Sequence, residues 1–252
     1  MPNNSAVMKQ VLIIWMFFPL VLTSVSVQAA DSIKINAYIG HPPYLYNEGG
    51  QQAGLYMRIV DLTFKAIGQP YSVNTLSFKR GLYQTTAGNG VMVGLLKTDQ
   101  RMQTLDFSEP FYQERVSVYL DQQRTPLIKT VNELDGLTIG ILLGWSYGAE
   151  FDQAKENNRF YTSDSNLETN LNLLAKGRLD AVIHPELSVI YVLNKLGLRD
   201  KVFLASEPLA LGNIHIAARK GTHKELLEKF NKKLSEPEHI KAINLLIRNY
   251  KE

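Results

Sequence analysis

The sequence predicts an α/β protein of two lobes that face each other across a cleft. Three observations carry this expectation. Strand-like and helix-like patterns alternate through residues 33–96. A similar alternation restarts after Pro126. Two extended stretches, Val116–Gln122 and His215–Lys220, lie where a chain that builds one lobe, then the second, then returns would have to cross. Alternating strands and helices are the grammar of a parallel sheet covered by helices.

In the first lobe, Ile33–Ile39 (IKINAYI) alternates apolar and polar residues and runs into Gly40-His41-Pro42-Pro43, a strand entering a rigid loop. Positions 55, 59, 62, 63, 66 and 67, all apolar but Thr63, form a helical stripe closed by Gly68. Tyr71–Leu76 reads as a strand, 79–88 as a helix and Val91–Leu96 as a short buried strand. In the second lobe, Thr130–Glu133 fits a capping box. Strand Leu137–Leu143, helix Ser146–Asn157 and strand Arg159–Tyr161 follow. Ser165–Glu168 fits another box, opening a helix that Gly177 stops; strand Asp180–Ile183 and helix Glu186–Leu196 come next. Boxes at Thr222–Glu225 and Ser235–Glu238 predict two closing helices. The stretches 87–94 and 176–183 loosely echo each other, each a helix end, a glycine and a buried strand.

The chain has 252 residues, 45% hydrophobic and 20% charged. Such a composition excludes wholesale disorder and collagen-like repeats. The absence of cysteine removes disulfide scaffolds, thiolate metal centres and thiol catalysis. A formal charge of +3, from scattered bases matched by acids, is no nucleic-acid footprint. Residues 11–22 (VLIIWMFFPLVL) follow Lys9 and precede Val27-Gln28-Ala29. Charge, a short apolar run and small residues at −3 and −1 make an export signal of residues 1–29, cut after Ala29. The run falls short of the roughly 20 residues a membrane span needs.

Five phrases, in order, carry a resemblance to a known family: Pro42-Pro43-Tyr44 with Gly54; Lys97-Thr98-Asp99-Gln100-Arg101; Asp106-Phe107-Ser108-Glu109-Pro110-Phe111-Tyr112; Gly136–Gly140 with Gly144; and Gly177–Ala181. The chain resembles the bacterial extracellular solute-binding proteins of family 3, the periplasmic amino-acid-binding type. The resemblance implies a type II periplasmic-binding-protein clamshell with a two-strand hinge. Lobe 1 would comprise residues 30–120 and 217–252, and lobe 2 residues 121–216. It implies a protein that closes on a small solute and delivers it to a membrane permease; the chain is expected to be a monomer without cofactor or metal. A sensor that reports to a receptor is the alternative partner arrangement.

Candidate ligand-binding residues follow. In the T-x-x-R pattern, Thr98 can cap a helical turn and Arg101 can grip a carboxylate with two hydrogen bonds; the family's matching Arg holds a ligand carboxylate. Tyr44, after the Pro-Pro loop, matches a position where family aromatics sandwich the ligand. Phe78 and Arg80 lie before the second helix near the same strand edge. Ser146, between a strand and a helix, offers a hydroxyl beside free backbone N–H groups. The chain departs from the family at two points. Leu96 stands where Ser or Thr is usual, so Gly94 and Leu96 offer only backbone groups. Pro185 stands where an Asp holds the ligand's ammonium. Glu186 is the candidate substitute, although a carboxylate one residue along points elsewhere unless the loop shifts.

The enzyme reading is weaker. Gly144-Trp145-Ser146-Tyr147-Gly148 matches the G-x-S-x-G elbow of serine hydrolases, with Asp180 or Asp200 and His215 or His223 completing the order. No upstream oxyanion-hole glycine run accompanies it. A dehydratase on the same scaffold is a further alternative. The five histidines show no i, i+4 pair and no HExxH. The expectation is a binding protein with no catalytic residue.

Overall fold

The computed structural model describes residues 31–121, 128–205 and 207–251. The expected leader and Gln122, the end of the first crossing stretch, lie outside the described residues. No helix among the described residues is long and apolar enough to cross a membrane.

In chain order the first half comprises β1 (Ile33–Tyr38), β2 (Tyr46–Glu48), β3 (Gln51–Ala53), α1 (Leu55–Ala66), β4 (Tyr71–Leu76), α2 (Phe78–Thr86), β5 (Val91–Leu96), α3 (Asp99–Met102), β6 (Leu105–Phe107) and β7 (Tyr112–Asp121). After a 3-10 turn at Val131–Leu134 come β8 (Thr138–Ile141), α4 (Ala149–Glu156), β9 (Tyr161–Asp164), α5 (Leu167–Leu174), β10 (Ala181–Pro185), α6 (Glu186–Leu196), β11 (Val202–Leu204), β12 (Ala210–Arg219), α7 (Lys224–Leu234) and α8 (Pro237–Lys251).

The main sheet runs β4-β1-β5-β12-β7-β10-β8-β9, with β11 on β7 and β6 on β12. Strands β4, β1 and β5 are parallel, as are β10, β8 and β9. The two ten-residue strands β7 and β12 join these halves. They pair antiparallel over Tyr112–Val116 and Ala210–Ile214. Beyond that ladder β12 continues along β5, and β7 continues along β10. This is the two-lobed α/β clamshell that the sequence predicts.

Core packing follows the same partition. One core gathers β1, α1, β5 and α7 around Ile35, Phe64, Met92 and Phe230, and it includes Ile214 and Ile216 of β12. On β7, Val116, Val118 and Leu120 enter a second core with Ile139 and Phe151, whereas Tyr119 enters a third with Leu171 and Val189. Alternate residues of one strand thus feed opposite faces of the sheet.

Several phrases of the family resemblance have a structural origin. The Ser108 hydroxyl accepts from the Ile216 N–H at 3.1 Å, and the Asp106 carboxylate accepts from the Gly221 N–H at 2.7 Å. Asp180 accepts from the Thr138 N–H at 2.8 Å, pinning β10's approach to β8. Gly54 lets α1 dock on the Pro-Pro-Tyr loop: its φ is +118°, and a Cβ there would sit 2.1 Å from the Tyr44 carbonyl oxygen. Because both backbone conformation and space oppose a side chain, Gly54→Ala should destabilise the fold by on the order of 3 kcal/mol. Denaturant midpoints of the two proteins measure this.

Local differences from the sequence expectations have local causes. Helix α4 starts at Ala149, not Ser146, because Gly148 adopts φ +113° just before it. At Ser165–Glu168 the cap is Asn166, which accepts from the Thr169 N–H. The box at Thr222–Glu225 does not form: the Thr222 hydroxyl donates back to the Arg219 carbonyl, and left-handed His223 opens α7. The Thr130–Glu133 box forms, on the 3-10 turn rather than an α-helix. The expected 159–161 strand lies at Tyr161–Asp164. Three-residue strands β2, β3, β6 and β11 are too short for a visible pattern.

Candidate functional site

The cleft is lined by Tyr38, Phe78, Gly94, Leu96 and Arg101 from the first half and Trp145, Ser146, Tyr147 and Pro185 from the second. Glu114, Val116 and Ile214 of the crossing strands close its floor. Five of the eight expected site residues therefore meet here: Phe78, Gly94, Leu96, Arg101 and Ser146. Strand ends and turns bring them together. Gly94 and Leu96 end β5, Arg101 sits one helical turn on, and Ser146 follows β8.

Thr98 caps α3 as the T-x-x-R pattern requires, accepting from the Arg101 N–H at 3.3 Å. The Arg101 side chain then turns back, donating to the Leu96 carbonyl at 2.8 Å and the Gly144 carbonyl, across the cleft, at 3.4 Å. Its guanidinium carbon lies 5.5 Å from the Phe78 ring centroid, a cation–π distance. Burial pulls its pKa below the ordinary arginine value, opposed by Tyr38 and Asp152. Among the described residues its side-chain hydrogen bonds end on backbone carbonyls, and it makes no ion pair. The remaining N–H groups of this cation are the cleft's natural partner for an anion.

Ser146 differs from expectation in one respect. Its hydroxyl donates to Asp152 in a short hydrogen bond, and the Tyr147 N–H donates to the same carboxylate at 3.1 Å. Asp152 thus engages part of the expected anion cradle. Neither bond involves a histidine, so the G-x-S-x-G phrase is here a turn capped by an acid.

Three expected residues lie outside the cavity lining. Tyr44 is 1% exposed and stacked on Tyr56, with centroids 4.8 Å apart, behind the cleft. Arg80 is exposed on α2. Glu186 turns away to pair with Arg115 at 3.0 Å and accept from Ser117 at 2.7 Å. Pro185 lines the cavity in its place.

A buried polar chain escaped the sequence reading. Glu114 of β7 lies 2.8 Å from His41 Nε2 and accepts a short hydrogen bond from the Tyr56 hydroxyl. His41 Nδ1 lies 3.0 Å from the Ser188 hydroxyl on α6, so the chain spans the two halves. His184, fully buried beside it, has no hydrogen-bond partner on either ring nitrogen among the described residues. Trp145 stacks on His184 (centroids 5.1 Å, 25° between planes) and meets His41 edge-on at 4.6 Å. The signal available in the sequence was register: Glu114 falls two residues before Val116, on the inward alternation of β7.

No group of three or more His, Cys, Asp or Glu among the described residues is arranged to hold a metal ion.

The family model for bacterial extracellular solute-binding proteins, family 3, matches residues 33–250. The "Probable histidine-binding protein" of Campylobacter jejuni is 26% identical over 232 residues, covering 87% of this chain and 84% of its own. Among solved structures, a histidine kinase sensor domain with similarity to periplasmic binding proteins superposes with a TM-score of 0.78 at 16% identity, covering 88% of this chain and 96% of its own. An ancestral arginine-binding protein bound to arginine gives 0.75 at 21% identity, covering 88% and 99%. At those identities the structures speak for the fold. A match over nearly all described residues, on a clamshell whose cleft gathers one cation and several aromatic rings, makes this chain a member of the bacterial extracellular solute-binding proteins, family 3.

Proposed function

We propose that the protein binds a small amino-acid-like solute in the periplasm by lobe closure, holds the solute's carboxylate on Arg101, and delivers it to an ABC-type membrane transporter. The observation that carries the reading is Arg101 itself: a half-buried guanidinium in the cleft, fixed by two backbone carbonyls and without an ion-pair partner among the described residues. A cation so held is complementary to a planar acid group. The lobes divide where core membership changes, between Phe111 and Val116 and between Ala210 and Ile214. These positions lie a few residues before the boundaries 120/121 and 216/217, and the ladder between the two crossing strands is the hinge.

Mass spectrometry of small molecules released by denaturing the purified protein tests the reading. A carboxylate-bearing amino-acid-like solute is expected; a solute lacking any acid group would overturn it. With that solute, Ser146→Ala should cost at most about 1 kcal/mol of affinity by calorimetry, because its one hydroxyl proton already goes to Asp152 and is not free for a ligand carboxylate. Export is tested by amino-terminal sequencing of the secreted protein. Residues 1–29 are expected to be absent and the chain to begin at Ala30; retention of residues 11–22 would mean an anchor.

A further inference from the structure

The indole of Trp145 lies between the lobes and packs against both the first and the second core. It stacks on His184 and meets Tyr38 edge-on at 5.8 Å (86°) and Phe78 at 5.9 Å (43°). These are the separations of favourable aromatic pairs. With the indole there, the space beside Arg101 and Ser146 is about 20 Å³, room for one or two water molecules. An acid group on Arg101 brings the rest of its molecule with it, and that body needs the volume the indole fills. The loop that carries Trp145 is bracketed by Gly144 (φ +82°) and Gly148 (φ +113°), conformations that L side chains rarely adopt.

We propose that Trp145 is the specificity-determining residue of this cleft: a resident ring that a ligand's body must displace, selecting carboxylates whose body is itself a flat ring able to take over the contacts with His184, Phe78 and Tyr38. This rests on the reading of Arg101 as the carboxylate grip. Compact acids gain no such replacement contacts and displace the indole poorly. Ring-bearing acids restore the stack they break.

The experiment uses the leaderless protein, in which Trp145 is the sole tryptophan because Trp15 lies in the leader. L-phenylalanine, L-histidine and phenylacetate serve as ring-bearing probes, and glycine and acetate as compact ones. Binding is measured by calorimetry, and indole emission is followed in parallel. In the unsubstituted protein, ring-bearing acids should bind at least tenfold more tightly than compact ones and shift the emission to the red as the indole leaves its packed site. Trp145→Ala should tighten the ring-bearing acids by tenfold or more, by removing their competitor, with Trp145→Phe between the two; melting curves verify that both variants fold. Ring-bearing acids that bind Trp145→Ala no more tightly, or that bind without moving the emission, would overturn the inference. Arg101→Ala separates the two ideas. If binding depends on Arg101 while Trp145→Ala leaves the affinity for ring-bearing acids unchanged, this inference alone fails. If Arg101→Ala binds the same acids undiminished, or none of the five probes binds any form of the protein, the carboxylate grip fails and this inference with it.

Discussion

Arg101→Ala should reduce affinity for the released solute by roughly 30-fold to several-thousand-fold, the equivalent of about 2–5 kcal/mol for a buried charge-assisted contact that loses one partner. The magnitude follows from the setting. The guanidinium is already fixed by the Leu96 and Gly144 carbonyls and backed by the Phe78 ring, so a ligand meets a cation that loses little freedom on binding. The bond to Gly144 also crosses the cleft, so removing the side chain weakens closure as well as the grip. Arg101→Lys should restore only part of the affinity, because an ammonium cannot present the planar fork. Stability should change little, since neither carbonyl partner is a buried charge. Calorimetry of the three proteins, with melting curves as the fold control, decides. Binding by Arg101→Ala as tight as the parent's would remove the carboxylate grip.

What the sequence revealed of this site depended on how local the determinant was. Thr98 and Arg101 are three residues apart, and the cap that orients them is a property of one helical turn, so their placement was legible. The strand–helix alternation was legible for the same reason, because apolar periodicity is written residue by residue. Tyr44 was not. Its place after two prolines suggests a ring at the cleft edge, but the close approach of Gly54 to the Tyr44 carbonyl docks α1 there, and the ring stacks inward on Tyr56. Glu186 was misleading because its partners, Arg115 and Ser117, lie about seventy residues away on β7. The chain from Glu114 through His41 to Ser188 spans separations of 73 and 147 residues, and only the crossing strands bring its members together. Its sole local trace is an acid in the inward register of β7.

The same buried cluster should make the protein acid-sensitive. His184 is fully buried with neither ring nitrogen hydrogen-bonded among the described residues. Burial first, and the neighbouring His41 second, hold its pKa well below the ordinary histidine value of 6.5. Facing it are His41, which pairs with Glu114, and the Trp145 and Tyr147 rings. Because the folded-state pKa is depressed, both states are neutral above pH 6.5 and His184 costs nothing there. Below pH 6.5 the unfolded chain takes up a proton that the folded protein refuses, so stability falls as pH falls until the folded pKa is reached. The slope for one such group is at most about 1.4 kcal/mol per pH unit, so moving from pH 6.5 to 5.5 should cost about 1 kcal/mol from His184 alone. His215 and His239, also lowered chiefly by burial, act in the same direction. Replacing the ring with an apolar side chain, His184→Leu, removes one titrating group and the orphaned nitrogens together. Denaturant unfolding at pH 7.5, 6.5 and 5.5 should therefore show a shallower loss for His184→Leu than for the parent, by about 1 kcal/mol at the lowest pH relative to the highest. Equal slopes would assign the acid sensitivity to His215 and His239 and leave His184 a silent member of the packed cluster under Trp145.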